Sequence, residues 1–298
     1  MTRSPSPDPS GHRIAVLGAG VMGAGIATLA VGHGLPVTLL DVSADILDQA
    51  AANIRNQLRL AQLTGKLPRG RAAGEVVTTT AMPDIAGATV VIEAVTERAD
   101  VKADVLGAAA TAVSPGTLLV SNTSAVPIDE QAAALPRPQD LVGIHFMNPP
   151  YMIRTVEVIR GPRTGGAALA AAMDLLRTLG RDGVVVGDGP GFVINRILQR
   201  MINEAARIVA DGIATPDDVD ALFTGCLGHT TGPLATADLI GLDNVADSLR
   251  VLAERTGDGG YLPCELLLEK VAAGECGRKT GQGFFSYAGT PAGRARAL

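Results

Sequence analysis

The sequence predicts an α/β domain built on a mostly parallel sheet, followed by an all-helical domain. Three observations carry that reading. Short β-rich runs alternate with longer Ala-rich amphipathic stretches through the first half, the pattern of βαβ units. Those runs are apolar nearly throughout, as strands covered on both faces must be. Beyond a Gly/Pro break at Gly187-Asp188-Gly189-Pro190-Gly191, strand signals stop and helical stripes take over. A length of 298 residues fits two domains, and the expected division is a tail at 1–11, an α/β domain at 12–188 and a helical domain at 189–298.

Taken in order, strands are expected at 14–17, 36–40, 90–94, 118–121, 141–146, 156–159 and 184–186, with helices at 44–63 and 99–113 among those between them. In the second half, apolar residues at 194, 197, 198, 201, 202, 205, 208 and 209 mark one face of a helix. Thr215-Pro216-Asp217-Asp218 reads as the next helix start: a Thr cap, Pro in the first turn and acids at the positive dipole end. Further helices are expected at 234–238, 242–255 and 264–273.

Composition narrows the classes of function. Hydrophobic residues make up 47% and charged residues 18%, which excludes a disordered chain. With no Trp, five Phe and three Tyr, the core must be aliphatic. A net charge of −5 argues against general nucleic-acid binding, and no apolar run reaches the ~18 residues of a membrane span. The N-terminal MTRSPSPDPSGH has no apolar segment of the export type. Cys226, Cys264 and Cys276 have no CxxC spacing and read as reduced thiols in a cytoplasmic protein. No metal is expected.

Chemistry enters at Gly18-Ala19-Gly20-Val21-Met22-Gly23, which follows the first strand and opens a helix. The first Gly permits the tight turn, the second lets a pyrophosphate approach the backbone, and the third lets the helix pack closely. Asp41 ends the second strand, where a carboxylate accepts from ribose hydroxyls, and Val42 and Ser43 supply no Arg for a 2′-phosphate. A Rossmann-like domain binding NAD rather than NADP follows. The alternatives are a plain tight turn with a solvated Asp, and FAD, for which the helical second half lacks the additional β structure.

Among four histidines, only His145 lies at the carboxyl end of an expected parallel strand, the edge where open α/β sheets bind ligands. Glu157, within Thr155-Val156-Glu157-Val158-Ile159, has two readings. It is either an edge residue facing water or the buried partner that fixes the tautomer of a histidine base. Ser124, in Asn122-Thr123-Ser124, sits at the same sheet edge. Asn195 stands one turn into the long helix and forms, with Gln199 and Asn203, a polar stripe opposite the apolar one. Each reads either as a cap or solvated group or as part of a site. Glu97 is a helix-start acid or a group near a nicotinamide.

The chain resembles the short-chain L-3-hydroxyacyl-CoA dehydrogenases, including 3-hydroxybutyryl-CoA dehydrogenase, over nearly all of 12–287. The likeness rests on VLGAGVMGAGIA, VVIEAVTE, SNTSAVPI, GIHFMNPP, TVEVIRG, GPGFVINRI, GPLATADLIGLD and GRKTGQGFFSY, in order and at family spacing. The resemblance implies NAD as cofactor, a helical domain that forms a homodimer interface, and a thioester substrate. It makes His145 the base, Glu157 its partner, and Ser124 and Asn195 the groups that hold the reacting oxygen. Glu97 and Lys102 match residues lining the cofactor and substrate cleft. Asn122 falls on the cofactor side, and Asn148, Arg55, Arg59 and Lys66 on the substrate side.

Departures from the family pattern bear on the acyl carrier. Ala125 replaces the second Ser of an NTSS motif. Pro150-Tyr151-Met152-Ile153-Arg154 stands where a Val-Pro-Val-Met-Lys type of run is usual. Asn56 takes a position often held by Lys, leaving Arg55, Arg59, Lys66 and Arg69 in that stretch. An acyl-carrier-protein substrate, such as a glyceryl-carrier for polyketide extender units, is therefore an alternative to acyl-CoA. So is a free hydroxy acid or sugar acid. A non-enzymatic, cofactor-bound protein of the lens-crystallin kind is disfavoured because His145, Glu157, Ser124 and Asn195 are all present.

Overall fold

The computed structural model describes residues 11–69 and 72–287, so nearly all of the expected tail at 1–11 lies outside the described residues. Two compact units divide between Phe192 and Val193. The first is an eight-stranded sheet covered by helices. Its strands are β1 (Ile14–Leu17), β2 (Val37–Leu40), β3 (Val76–Thr79), β4 (Val90–Glu93), β5 (Leu118–Ser121), β6 (Leu141–His145), β7 (Thr155–Arg160) and β8 (Asp182–Gly187). Its helices are α1 (Val21–Gly32), α2 (Ala44–Leu63), α3 (Ala99–Ala112), α4 (Ile128–Ala132) and α5 (Gly166–Thr178).

The strand order is β3-β2-β1-β4-β5-β6-β7-β8, and every pair is parallel except the antiparallel β6–β7. The chain therefore moves outward from β1 to β3, then crosses back to build the other half from β4. The strand order reverses between β1 and β4, the switch point at which open α/β sheets hold ligands. Successive residues of β1 serve opposite faces: Ile14 and Val16 join one core cluster, Ala15 and Leu17 the other. This two-sided burial explains why the central strands are unbroken apolar runs.

β3 is absent from the sequence-based set of strands. It is a short edge strand, only partly covered, and its Val-Val-Thr-Thr run lacks the apolar continuity of the central strands. β8 at the opposite edge leaves Val184 and Val185 exposed.

The second unit comprises α6 (Ile194–Ala210), α7 (Pro216–Leu227), α8 (Pro233–Ile240), α9 (Leu242–Thr256) and α10 (Glu265–Ala272). α7 starts as expected: Thr215 accepts from the Asp218 N–H, and the Asp218 carboxylate accepts from the Thr215 N–H. α6 buries Ile202 and Ala205 of its apolar stripe but departs in part from the expected faces. Gln199 and Asn203 on its polar stripe are buried, while Ile194 and Ile197 on its apolar stripe are exposed. Asn203 explains the inward polar face. Its amide donates to the carbonyls of Gly260 and Leu262 (3.2 and 2.8 Å) and its oxygen accepts from Cys264 N (2.9 Å).

Two acids make similar joints. Asp220 accepts from the Leu234 and Ala235 N–H groups at the start of α8. Asp238 accepts from Phe284 N, Phe285 N and the Tyr287 hydroxyl. Burial, and then the neighbouring Asp238 charge, push the Tyr287 hydroxyl up to about 12. No described helix is long and apolar enough to cross a membrane.

Asn203→Ala removes the side-chain partner of the Gly260 carbonyl and of the buried Cys264 N–H, while the Leu262 carbonyl keeps its bond from Arg207. It should lower stability by about 1–3 kcal/mol, the cost of stranding buried polar groups. Urea unfolding followed by circular dichroism measures it, and an unchanged midpoint would show that water replaces the amide.

Candidate active site

The ends of four strands, β1, β4, β5 and β6, build the site. After β1 the chain turns at Gly18, whose φ of 96° excludes most side chains. A Cβ there would also lie 2.6 Å from the Ala94 carbonyl oxygen, so the β1 and β4 loops touch at this glycine. A Cβ on Gly23 would fall 1.8 Å from Gly18 O, so the third glycine seats α1 against the loop itself. Gly20 has open space where a Cβ would project, and no side chain caps α1. The N–H groups of Val21, Met22 and Gly23 therefore face an uncovered helix start, a fit for a pyrophosphate. Asp41 stands beside the loop, accepting from Ala19 N (2.8 Å) and Ser43 N (3.1 Å). Its spare lone pairs suit ribose hydroxyls. The residues present thus fit a dinucleotide.

β4 and β5 supply a network of charges. Glu97, in the loop after β4, accepts from the Thr123 hydroxyl (2.5 Å), Ser124 N (2.7 Å) and Ala125 N (2.9 Å). Its other oxygen meets Lys102 Nζ at 3.1 Å. Desolvation opposes the charge on Glu97. The Lys102 ammonium and the Thr123 and Ser124 donors outweigh it and hold the carboxyl below its ordinary 4.5. Lys102 is fully buried, so in this structure it acts on its surroundings through the carboxylates it holds.

β6 ends in His145, whose direct cross-strand neighbour on β7 is Glu157. Their side chains meet at 2.8 Å, Nδ1 to Oε2, and both are buried. β7 lies between β6 and β8, so the reading of Glu157 as an edge residue facing water is overturned. With Nδ1–H donating to the carboxylate, the neutral ring presents Nε2 as its basic nitrogen. The ring lies 6.0 Å from that of Phe192, the non-Gly residue with positive φ (49°) among those described. Strained backbone of this kind costs about 1–3 kcal/mol and collects at functional sites.

Asn122 ties these strand ends together, its side-chain oxygen accepting from Phe146 N (3.0 Å). Asn148 precedes a cis peptide to Pro149. Pro150 then packs where Gly25 of α1 leaves room, since a Cβ there would lie 2.7 Å from Pro150 Cδ. His145, Glu157, Asn122, Ser124, Glu97 and Lys102 thus belong to neighbouring strand ends. Asn195 lies in the second unit, in the first turn of α6. Arg55 and Arg59 share an exposed face of α2, and Lys66 follows its end. Among the described residues, no hydrogen bond or ion pair joins Arg55, Arg59 or Lys66 to the network, and Arg69 is spent on the Gln62 and Leu63 carbonyls.

Sequence reasoning missed Glu93. It was legible only as an acid interrupting an apolar strand, yet it is fully buried and holds Lys102 Nζ at 2.8 Å. The signal that points to it is the pairing rule: an acid inside a buried parallel strand demands a cation.

The chain matches two family models, the 3-hydroxyacyl-CoA dehydrogenase NAD binding domain over residues 13–189 and the 3-hydroxyacyl-CoA dehydrogenase C-terminal domain over 191–287. It is 38% identical over 277 residues to a probable 3-hydroxybutyryl-CoA dehydrogenase of Deinococcus radiodurans, covering 92% of this chain and all of that one. A probable 3-hydroxybutyryl-CoA dehydrogenase of Bacillus subtilis is 38% identical over 92% of this chain and 97% of its own. The crystal structure of (S)-3-hydroxybutyryl-CoA dehydrogenase from Ralstonia eutropha superposes with a TM-score of 0.85 at 36% identity, covering 93% of this chain and 99% of that one.

Glu97 also sets a pH dependence. Its folded value is depressed, so it contributes stability that is present above about 4.5 and lost as pH falls through the lower folded value. The stability gap between the wild type and Glu97→Gln should be largest near neutral pH and narrow in acid. Urea titrations at several pH values test this, and a gap that does not vary with pH would show that the carboxylate is not held ionised.

Proposed function

The chain belongs to the 3-hydroxyacyl-CoA dehydrogenase family and is an NAD-dependent oxidoreductase acting on CH–OH groups; from that premise we propose that it interconverts short 3-hydroxyacyl-CoA and 3-oxoacyl-CoA thioesters with His145 as the general base. The observation that carries this reading is the buried His145–Glu157 pair at 2.8 Å on adjoining strand ends. It leaves Nε2 as the basic nitrogen at the sheet edge that also holds the glycine loop.

The N–H groups of Val21, Met22 and Gly23 and the Asp41 carboxylate would hold NAD, which when bound would supply the hydride acceptor. In oxidation, His145 Nε2 takes the proton of the substrate hydroxyl. Proton uptake turns the His145–Glu157 hydrogen bond into an ion pair, which stabilises the imidazolium at the moment it forms. Ser124 donates to the oxygen as it becomes a carbonyl, and Glu97 fixes the backbone that carries Ser124. In reduction, the imidazolium returns its proton to the same oxygen.

Arg55 and Arg59, exposed at i and i+4 on α2, support an anionic acyl carrier, since CoA presents a 3′-phosphate and a pyrophosphate. They equally suit the acidic face of a carrier protein, the second reading that the loss of basic residues at Asn56 favours. The same reading includes a homodimer through the helical unit, where Ile197, Leu222 and Leu227 are exposed. It also places the chain in the cytoplasm, in keeping with its three unpaired cysteines.

His145→Gln should lower turnover roughly 10²–10⁴-fold, the range of general acid–base catalysis, with little change in NADH affinity. A folded variant with near wild-type turnover would remove His145 as the base. NADH oxidation with acetoacetate, acetoacetyl-CoA and an acetoacetyl carrier protein tests the carrier. The CoA thioester should give the highest kcat/KM, and a salt-sensitive, weak KM that improves on the carrier protein would transfer the assignment to the second reading.

A further inference from the structure

Glu93 occupies the centre of the site's sheet edge. Its register neighbours are Leu17, the last residue of β1, and Ser121, the last of β5. Both carboxylate oxygens are used within the protein. Oε1 accepts from Lys102 Nζ and from Val95 N, each at 2.8 Å, and Oε2 accepts from the Ser121 hydroxyl at 2.7 Å. Neither Glu93 nor Lys102 has any side-chain surface in solvent.

A lysine ammonium on a four-carbon stem is ordinarily a mobile charge. Here Glu93 grips it from the core side, so Nζ meets Glu97 Oε2 at 3.1 Å. Glu97 in turn gathers Thr123, Ser124 N and Ala125 N on its other oxygen. A continuous chain of charge-assisted contacts therefore runs from the interior of β4 to the backbone of Ser124. Without the charge of Glu93, Lys102 faces Glu97 alone, and the Glu97 carboxylate is drawn toward the ammonium and away from the N–H groups it holds.

We propose that Glu93 is a positioning residue of the reaction, which through Lys102 and Glu97 sets the place of Ser124 at the reacting oxygen. This rests on the reading of Ser124 as the donor to that oxygen.

The test is a double-mutant cycle on acetoacetyl-CoA reduction, with NADH KM and thermal unfolding recorded for each variant. Glu93→Gln preserves size and removes the charge. It should lower kcat roughly 10–100-fold, the cost of an ångström-scale misplacement, while leaving NADH KM nearly unchanged. In a Ser124→Ala background the same substitution should cost little, because the group it positions is gone. Equal losses in both backgrounds would overturn the coupling, leaving Glu93 a structural residue. A Ser124→Ala enzyme with wild-type kcat would instead overturn the reading of Ser124, and this proposal with it. If Glu93→Gln does not fold, Ser121→Ala takes its place in the cycle, since it loosens Glu93 Oε2 and keeps every charge. A smaller kcat loss that vanishes in the Ser124→Ala background supports the proposal, and additive losses overturn it.

Discussion

The buried contact between Glu93 and Lys102 is the constraint on which the edge of the sheet depends. Neither charge can be enclosed alone. Removing one partner of such a pair costs about 3–5 kcal/mol, although the intact pair contributes little net stability compared with an apolar replacement. Its effect is geometric. Lys102 must point inward from the first turns of α3 to reach β4, which fixes the path of the loop at Val95 and Glu97. The same loop touches Gly18 at Ala94, so the dinucleotide turn and the Ser124 loop are referenced to one pair of charges.

Much of this architecture was legible. The apolar runs located the central strands, and the glycine spacing, Asp41 and the strand-end His145 pointed to the sheet edge proposed as the site. The His145–Glu157 contact was open to sequence reasoning because both residues lie in strong strand signals, although the register that pairs them was not. What stayed hidden depends on partners distant in the chain. Ser121 and Glu93 are 28 residues apart, and Asn203 and Cys264 are 61 apart. Periodicity assigns a residue to a face by its own polarity. It therefore turned the α6 stripe outward, whereas Asn203 faces inward because the 260–264 segment needs its three hydrogen bonds. β3 was hidden for another reason: an edge strand is covered on too little of its surface to select an apolar run.

The motifs in the second unit carry shape more than chemistry. GPLATADLIGLD and GRKTGQGFFSY meet through Asp238, which collects two N–H groups and the Tyr287 hydroxyl. A Cβ on Gly283 would lie 2.1 Å from an Asp238 oxygen, so that glycine is required by the joint. Lys279 pairs with Asp243 at 2.5 Å on the neighbouring segment. These residues join two segments of the helical unit that lie far apart in the chain. Their presence says little about the substrate, and the proposed chemistry rests on the strand ends of the first unit.

Two charged pairs on that edge differ in one respect that decides where a proton can go. The Glu93–Lys102 pair is saturated, the ammonium by acceptors and the carboxylate by donors, and neither side chain has any surface in solvent. In the proposed reaction the His145–Glu157 pair is conditional, a hydrogen bond from the ring to the carboxylate that becomes an ion pair when Nε2 takes a proton. Glu97 is held ionised by Lys102 and by the donors of the Ser124 loop, which leaves it an orienting charge and not an acid. The network thus gives Glu97 a fixed charge beside the Ser124 loop, and in the proposed reaction the neighbouring imidazole of His145 is the group that takes up and returns the proton.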